Sequence, residues 1–201
     1  MTHRYYMMNK PAGVITACKD TQQKTVMDLL PPDIANGLHP IGRLDIDTCG
    51  LLLLTDDGQL DHLLLQPTRH VAKTYRITAI GKLTDNAINM IEHGVTLESN
   101  SLVSRPAKIT LIQETTVSDI TELLPLDRKK RYLKNPNGSA FVADLIIYEG
   151  RKHQVKRMLR AVGCRVCFLE RIAIGSVKLD DWLPRGGFRS LTEAEIQALM
   201  P

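Results

Sequence analysis

Asp45 and Asp47 stand two residues apart in the run Gly42-Arg43-Leu44-Asp45-Ile46-Asp47-Thr48. In an extended segment both carboxylates would project to the same side. Such a pair suits chemistry at a sugar carbon, glycosidic hydrolysis included. Asp47-Thr48-Cys49-Gly50 also reads as a turn, where aspartate is common, so Asp45 is the stronger candidate of the two. A second reactive region is the basic segment Arg151 to Val162. Its spacing predicts a helix with Val155, Met158, Leu159 and Val162 on one apolar stripe, ended by Gly163. His153, Lys156, Arg157 and Arg160 fall on the other face. Lys156 lies nearest the boundary and could reach a half-buried carboxylate, whereas Arg157 points more directly outward. Taken alone, the same pattern also describes an ordinary solvated surface helix.

Other chemistries find less support. No G-x-x-x-x-G-K-[ST] phosphate loop and no G-x-G-x-x-G turn occurs. Cys164-Arg-Val-Cys167 has zinc-ligand spacing but lacks a second pair. It opens a β-rich run to Ile174, where buried thiols are common. The net charge of +4 and pI near 8.9 weakly favour an anionic partner. The distribution says more: Arg151, Lys152, Lys156, Arg157, Arg160, Arg165 and Arg171 crowd one short stretch. A second cluster, Arg128-Lys129-Lys130-Arg131, reads as a solvated basic face.

The elements that must position these residues follow from pattern. Arg4 to Met8 is a predicted strand, Asn9 to Gly13 a turn, and Val14 to Cys18 a returning strand. Thr25 would cap a short helix ended by Pro31-Pro32. Gly42 to Asp45 lies in a connection before the apolar strand Gly50 to Thr55, which Asp56-Asp57-Gly58 turns. A strand over 71–80 places Lys73 and Tyr75 on one face, and a helix over 84–93 closes at Gly94. Strands are expected over 108–113 and 141–148. The stretch 125–139 between them is a charged, turn-rich exposed loop insertion. Thr192-Glu-Ala-Glu195 has the form of a capping box opening a last helix. This mixed order predicts an α+β fold with several hairpins.

The chain's 201 residues, 43% hydrophobic and 24% charged, suffice for one well-filled core without disulfides. No apolar run approaches the roughly 20 residues of a membrane span. The N-terminus carries no signal-peptide core, which makes the cytoplasm the default compartment.

Four segments together carry a resemblance. They are Met8-Asn-Lys-Pro-Ala-Gly13, Pro40-Ile-Gly-Arg-Leu-Asp45-Ile-Asp-Thr-Cys-Gly-Leu-Leu-Leu-Leu-Thr55, Lys73-Thr-Tyr75-Arg-Ile77 and Glu149-Gly-Arg-Lys-His-Gln-Val-Lys156-Arg-Met158. In that order and spacing the chain resembles the ribosomal-RNA pseudouridine synthases of the RsuA and RluE type, from about Arg4 to Leu199. The resemblance implies a single catalytic domain over 1–201, with a mixed, largely antiparallel central sheet, flanking helices and two lobes around an RNA-binding cleft. Many members carry a small helical RNA-binding domain ahead of the catalytic one. No room remains for it here, so substrate choice is expected to rest on the catalytic domain's own loops.

The activity implied is isomerisation of a specific uridine in ribosomal RNA to pseudouridine. Uracil is detached from ribose, rotated and rejoined through carbon 5. No redox change or net hydrolysis occurs, so no metal or organic cofactor is expected. The family aspartate falls on Asp45, its tyrosine on Tyr75 and its basic partner on Lys156 or Arg157, with Lys156 favoured. A cation there would keep the carboxylate charged. Tyr75 offers a stacking face and a hydroxyl for proton transfer. An apolar wall near the uracil corresponds to Leu159. Arg43, Arg151, His153, Gln154, Arg157 and Arg160 complete the expected substrate-binding set, with Lys152 and Arg165 as further phosphate contacts. The expected partner is ribosomal RNA or a ribosomal-subunit precursor, met by a monomer. The alternative from another class is a non-catalytic RNA-binding ribosome assembly factor.

Overall fold

Residues 3–97 and 102–200 are described by a computed structural model. In chain order the first strands are β1 (Tyr5–Lys10), β2 (His39–Ile41) and β3 (Cys49–Thr55), with the short helix α1 (Pro32–Ala35) before β2. Helix α2 (Gly58–Leu65), strand β4 (Lys73–Ile80) and helix α3 (Asp85–His93) follow. Next come β5 (Thr96–Leu97), β6 (Leu102–Val103), β7 (Lys108–Thr116), α4 (Lys129–Tyr132) and β8 (Ser139–Ile147). The chain closes with α5 (Gln154–Ala161), β9 (Arg165–Ile174), β10 (Val177–Lys178), β11 (Phe188–Ser190) and α6 (Glu193–Leu199). The architecture is α+β, a mixed and mostly antiparallel sheet flanked by helices.

The chain divides into two compact units, 1–73 with 170–201, and 74–169. In the first unit β3 is the hub. β1 pairs antiparallel along one edge, from Tyr5 opposite Thr55 to Lys10 opposite Gly50. The other edge holds β2 beside Leu53 to Thr55 and, in parallel, the end of β9 beside Cys49 and Gly50. Leu51 to Leu54 are 0–1% exposed, so this strand is covered on both faces. That explains why its sequence is a continuous apolar run rather than an alternation. Leu51, Leu53 and Met7 share a cluster with Leu60 and Leu64 of α2 and Leu199 of α6. Each such leucine contributes about 1.5–3 kcal/mol by leaving water.

The second unit orders its strands as β9 (its first half), β4, β8 and β7. β7 and β8 run antiparallel with a bulge between Leu111 and Gln113. α3 packs against β7 and α5 against β5. Thr84 caps α3 through the Ala87 N–H, and Gly94 ends it at φ 101°, both at the expected positions.

Three expectations are corrected. Val14 to Cys18 is not a strand; Ile15 makes one isolated bridge to Thr25, and Thr16 turns its hydroxyl to Leu44. Pro31-Pro32 ends a 3-10 turn at Met27–Leu29 but also begins α1, because proline at the first helical turn loses no hydrogen bond. Helix α2 was not anticipated. Asp57, read only as a turn residue, accepts the N–H groups of Gln59 and Leu60 and so starts it.

The last helix carries the predicted capping box, Thr192 with Glu195. Glu195 also receives Arg189 at 2.7 and 2.8 Å. These bonds, followed by those from Thr192, hold its carboxyl down to about 2. A depressed carboxylate stabilises the fold fully above its ordinary value near 4.5, and that contribution is lost as pH falls through about 2. Glu195→Gln should therefore cost about 1–2 kcal/mol at pH 7. In chemical denaturation the gap between wild type and variant should close as pH drops from about 4.5 toward 2.

Candidate active site around Asp45

The connection between β2 and β3 carries Arg43 and Asp45. Asp45 to Thr48 forms a turn closed by the Thr48 N–H on the Asp45 carbonyl at 3.0 Å. The segment is therefore not extended, and Asp45 and Asp47 do not share a strand face. Asp47 occupies the turn and is exposed, whereas Asp45 is half-buried. Arg43 is exposed on the same connection.

This turn is held from the other side by the first strand and its loop. Lys10, the last residue of β1, is 0% exposed. Its ammonium donates to the carbonyls of Pro11 (3.0 Å), Asp45 (3.1 Å) and Thr48 (2.9 Å). All three of its protons thus have acceptors. Gly13 N–H reaches the Ile46 carbonyl at 2.8 Å, and Thr16 Oγ1 donates to the Leu44 carbonyl at 2.9 Å. Successive carbonyls from Leu44 to Ile46, and that of Thr48, are all taken by these partners. The Asp45 backbone is consequently fixed from two directions, by Lys10 and by Thr48.

The anchor of Lys10 is the strand pairing beneath it. Lys10 lies opposite Gly50, and Gly50 lies opposite Arg171 on β9. Gly50 has φ 99°, and a Cβ there would meet the Arg171 carbonyl oxygen at 2.3 Å. Only glycine allows this approach. Arg171 is itself 2% exposed and donates Nε to the Leu51 carbonyl at 2.8 Å. Next along β1, Asn9 donates its amide to the Leu183 carbonyl and accepts from Arg185, which also pairs with Glu170 at 2.7 Å. Buried cations are thus concentrated around this turn. Burial pushes Lys10 down to about 8, against the attraction of Cys49, Asp47 and Asp45. Burial, then repulsion from Arg171, lowers Lys73.

The other predicted site residues belong to the second unit. Tyr75 on β4 is 8% exposed. The basic helix begins at Gln154 rather than Arg151, after His153 in the left-handed conformation at φ 52°. Arg151, Lys152 and His153 therefore precede the helix. Val155, Met158 and Leu159 are buried as the stripe required, and Leu159 is fully enclosed. Lys156 and Arg157 are both half-buried, and Arg160 is exposed. Gln154 is buried and occupied internally. Its amide donates to Glu149 at 2.6 Å, and its carbonyl receives the Arg151 N–H at 2.9 Å. The Arg151 side chain pairs with Glu149 at 3.0 Å and donates to the Val103 carbonyl. Sequence reasoning missed Lys10 and assigned Arg171 only to a basic crowd. No local signal marks Lys10 as buried, because its acceptors at Asp45 and Thr48 lie 35 and 38 residues away.

Comparisons with known proteins give a consistent picture. The model of the family described as RNA pseudouridylate synthase matches residues 4–161. The chain is 40% identical over 196 residues to a Bacillus subtilis (strain 168) protein named an uncharacterized RNA pseudouridine synthase, YtzG. That match covers 97% of this chain and 72% of the relative. It is 38% identical over 197 residues to the ribosomal small subunit pseudouridine synthase A of Escherichia coli (strain K12), covering 98% and 74%. A crystal structure of a pseudouridylate synthase superposes with a TM-score of 0.82 at 34% identity, over 99% of this chain and 74% of that one. A human RNA pseudouridylate synthase domain containing 1 structure, at 15% identity and TM-score 0.58, shares the fold.

Replacing Lys10 by methionine keeps the volume and removes one donor from each of three carbonyls, of which that of Asp45 retains the Thr48 N–H. The expected loss is about 2–4 kcal/mol at pH 7, read by denaturant melts. The sign of its pH dependence follows from the lowered value. Below about 8 both folded and unfolded chains hold the proton, and the folded state bears the whole cost of the buried charge. Between about 8 and 10.5 the unfolded chain binds more protons, so this group adds stability as pH rises. The wild-type advantage over Lys10→Met should therefore widen through that window. Gly50→Ala should cost at least about 2 kcal/mol, since both φ and the approach to Arg171 oppose a side chain.

Proposed function

The chain belongs to the RNA pseudouridylate synthase family, and from that premise we propose that it isomerises a specific uridine of ribosomal RNA to pseudouridine with Asp45 as the catalytic carboxylate. The observation that carries the assignment is the fixation of the Asp45 backbone by Lys10 and Thr48. A carboxylate that must meet one sugar carbon gains most from a rigid support. Small-subunit RNA is the first substrate to test, because the Escherichia coli relative is named for it.

The reaction balances without any outside reagent. The N1–C1′ bond breaks, the C5–C1′ bond forms, and the proton on C5 leaves while N1 regains one. The Asp45 carboxylate serves at the stage when C1′ becomes electron-poor, a role open to oxygen anions on sugars. Tyr75 is assigned the face of the uracil and the proton transfer, and Lys156 the charge opposing Asp45. Arg43, His153, Arg157 and Arg160 are assigned to the RNA strand, with Lys152 and Arg165 on its phosphates. Gln154 and Arg151 serve substrate binding through the loop they brace with Glu149, and Leu159 through the core behind that loop. Extracting the target base costs a few kcal/mol, which phosphate contacts can offset. Among the described residues no helix is long and apolar enough to cross a membrane. The proposal includes action as a monomer in the cytoplasm, on ribosomal RNA or a subunit precursor.

Ribosomal RNA from cells lacking the protein provides the test. Pseudouridines are mapped by carbodiimide modification and primer extension, before and after restoring wild type or Asp45→Asn. One site should be missing, return with wild type, and stay absent with the variant. In vitro, Asp45→Asn should lower turnover by about a thousand-fold or more while changing RNA affinity by less than about three-fold. A variant that still restores the site would remove Asp45 from the chemistry. An unchanged map, with RNA binding intact, would favour a binding-only assembly factor.

A further inference from the structure

The stretch from Val117 to Ala140 forms a small structure of its own on the second unit. Val117, Ile120, Leu124 and Ala140 make a buried cluster, with Ile80, Tyr132 and Cys167 packed against it. Backbone bonds close the stretch on itself: Val117 N–H to the Gly138 carbonyl, Ser118 N–H to the Pro136 carbonyl, and Asn135 N–H to the Tyr132 carbonyl. Arg128 pairs with the neighbouring Asp127 at 3.1 Å. The basic tetrapeptide 128–131 is therefore carried on a built support rather than on a loose loop.

Beside that support lies a shallow, open cavity of about 370 Å³. Its apolar floor includes Ile80 and Val117, its aromatic wall is Tyr132, and Asn135 supplies an amide. Two cations, Lys82 and Arg131, line it, and no carboxylate does. Both cations are exposed, and neither forms an ion pair among the described residues. The cavity shares no residue with the Asp45 turn, with Tyr75 or with α5.

An aromatic face, an amide and two cations without an acid describe an occupant that is flat, able to hydrogen-bond and negatively charged. We propose that this cavity binds one unpaired nucleotide of the substrate RNA, distinct from the uridine that is modified, with its base against Tyr132 and its phosphate paired by Lys82 and Arg131. The inference rests on the reading that RNA is the substrate, and it deepens that reading by assigning a residue set to substrate choice. Unpaired bases are what proteins read most readily in RNA, by stacking on aromatic rings and by hydrogen bonds to exposed edges. Stacking tolerates any base, while the amide of Asn135 can discriminate among base edges.

The test uses the full chain and a single-stranded RNA carrying 4-thiouridine. Irradiation should cross-link it to the peptide containing Tyr132, identified by mass spectrometry. In fluorescence anisotropy with the same RNA, the double variant K82E/R131E should bind about ten-fold or more weakly and lose the cross-link. Its salt slope should also fall by about 0.7–1.4, the equivalent of one to two phosphate contacts on a single strand. The control K130E/K134E reverses two charges that do not line the cavity and should bind within about three-fold of wild type. Tyr132→Phe should keep the cross-linked affinity, and Tyr132→Leu should lose it roughly ten-fold.

Equal losses in the two charge-reversal pairs would overturn the proposal, leaving only a diffuse basic field. Cross-links confined to other peptides would overturn it as well. Pseudouridine formation on ribosomal RNA is read in parallel. Wild-type turnover with unaltered K82E/R131E binding sinks this proposal alone. A Tyr132 cross-link without any turnover upholds it and sinks the isomerase reading.

Discussion

A single buried ammonium holds the arrangement on which the rest of the first unit depends. Lys10 carries a charge into a site with no solvent exposure, which is costly unless every proton finds an acceptor. It finds three, and two of them belong to the turn that bears Asp45. The Asp45 carbonyl already takes the Thr48 N–H within the turn, and the ammonium adds a second donor there and one at the Thr48 carbonyl. The ammonium and the turn therefore require one another. Neither could be replaced by an apolar group without orphaning the other.

The same logic extends one layer down. Lys10 can reach the turn only because β1 and β3 are in register, placing it opposite Gly50. Gly50 can sit there only because it lacks a Cβ, which lets β9 come close enough for Arg171 to bond the Leu51 carbonyl. Two buried cations thus stand near one another, and Arg171 lowers the tendency of Lys10 to hold its proton. Burial has pushed Lys10 to about 8, with Arg171 adding to that push. The fully covered leucines of β3 contribute the stability that offsets this crowding of charge.

How far the sequence predicts the structure depends on how local the cause is. Leu51 to Leu54 could be read because four successive apolar residues have few uses other than a strand covered on both faces. The capping box at Thr192 and the Thr84–Gly94 helix are complete within a few residues, and both stand where expected. Val14 to Cys18 fails because its alternation is satisfied by a different partner, the Thr16 hydroxyl bonding Leu44 across the chain. The helix at Gln154 starts late because Glu149 and Gln154 hold residues 149–154 in a loop. Periodicity cannot show that network, because the apolar stripe alone fits a longer helix equally well. Lys10 is the extreme case: its burial depends on acceptors 35 and 38 residues away.

The motifs themselves divide along this line. Of Gly-Arg-Lys-His-Gln-Val-Lys, Gln154 and Arg151 spend their polar atoms on Glu149 and on backbone, and Val155 is buried. Within Asn9-Lys10-Pro11-Ala12-Gly13, Asn9 ties the loop at Leu183, while Lys10 and Gly13 tie the Asp45 turn. Most letters of such a signature therefore hold backbone, and few are left to meet a substrate. A reading that treats every polar motif residue as a ligand contact will overcount the site. Exposure separates these residues: Asp45, Lys156 and Arg157 remain half-buried, whereas Lys10 and Gln154 are closed over. A site built on such segments is necessarily small, because many neighbours are needed to keep a few side chains still.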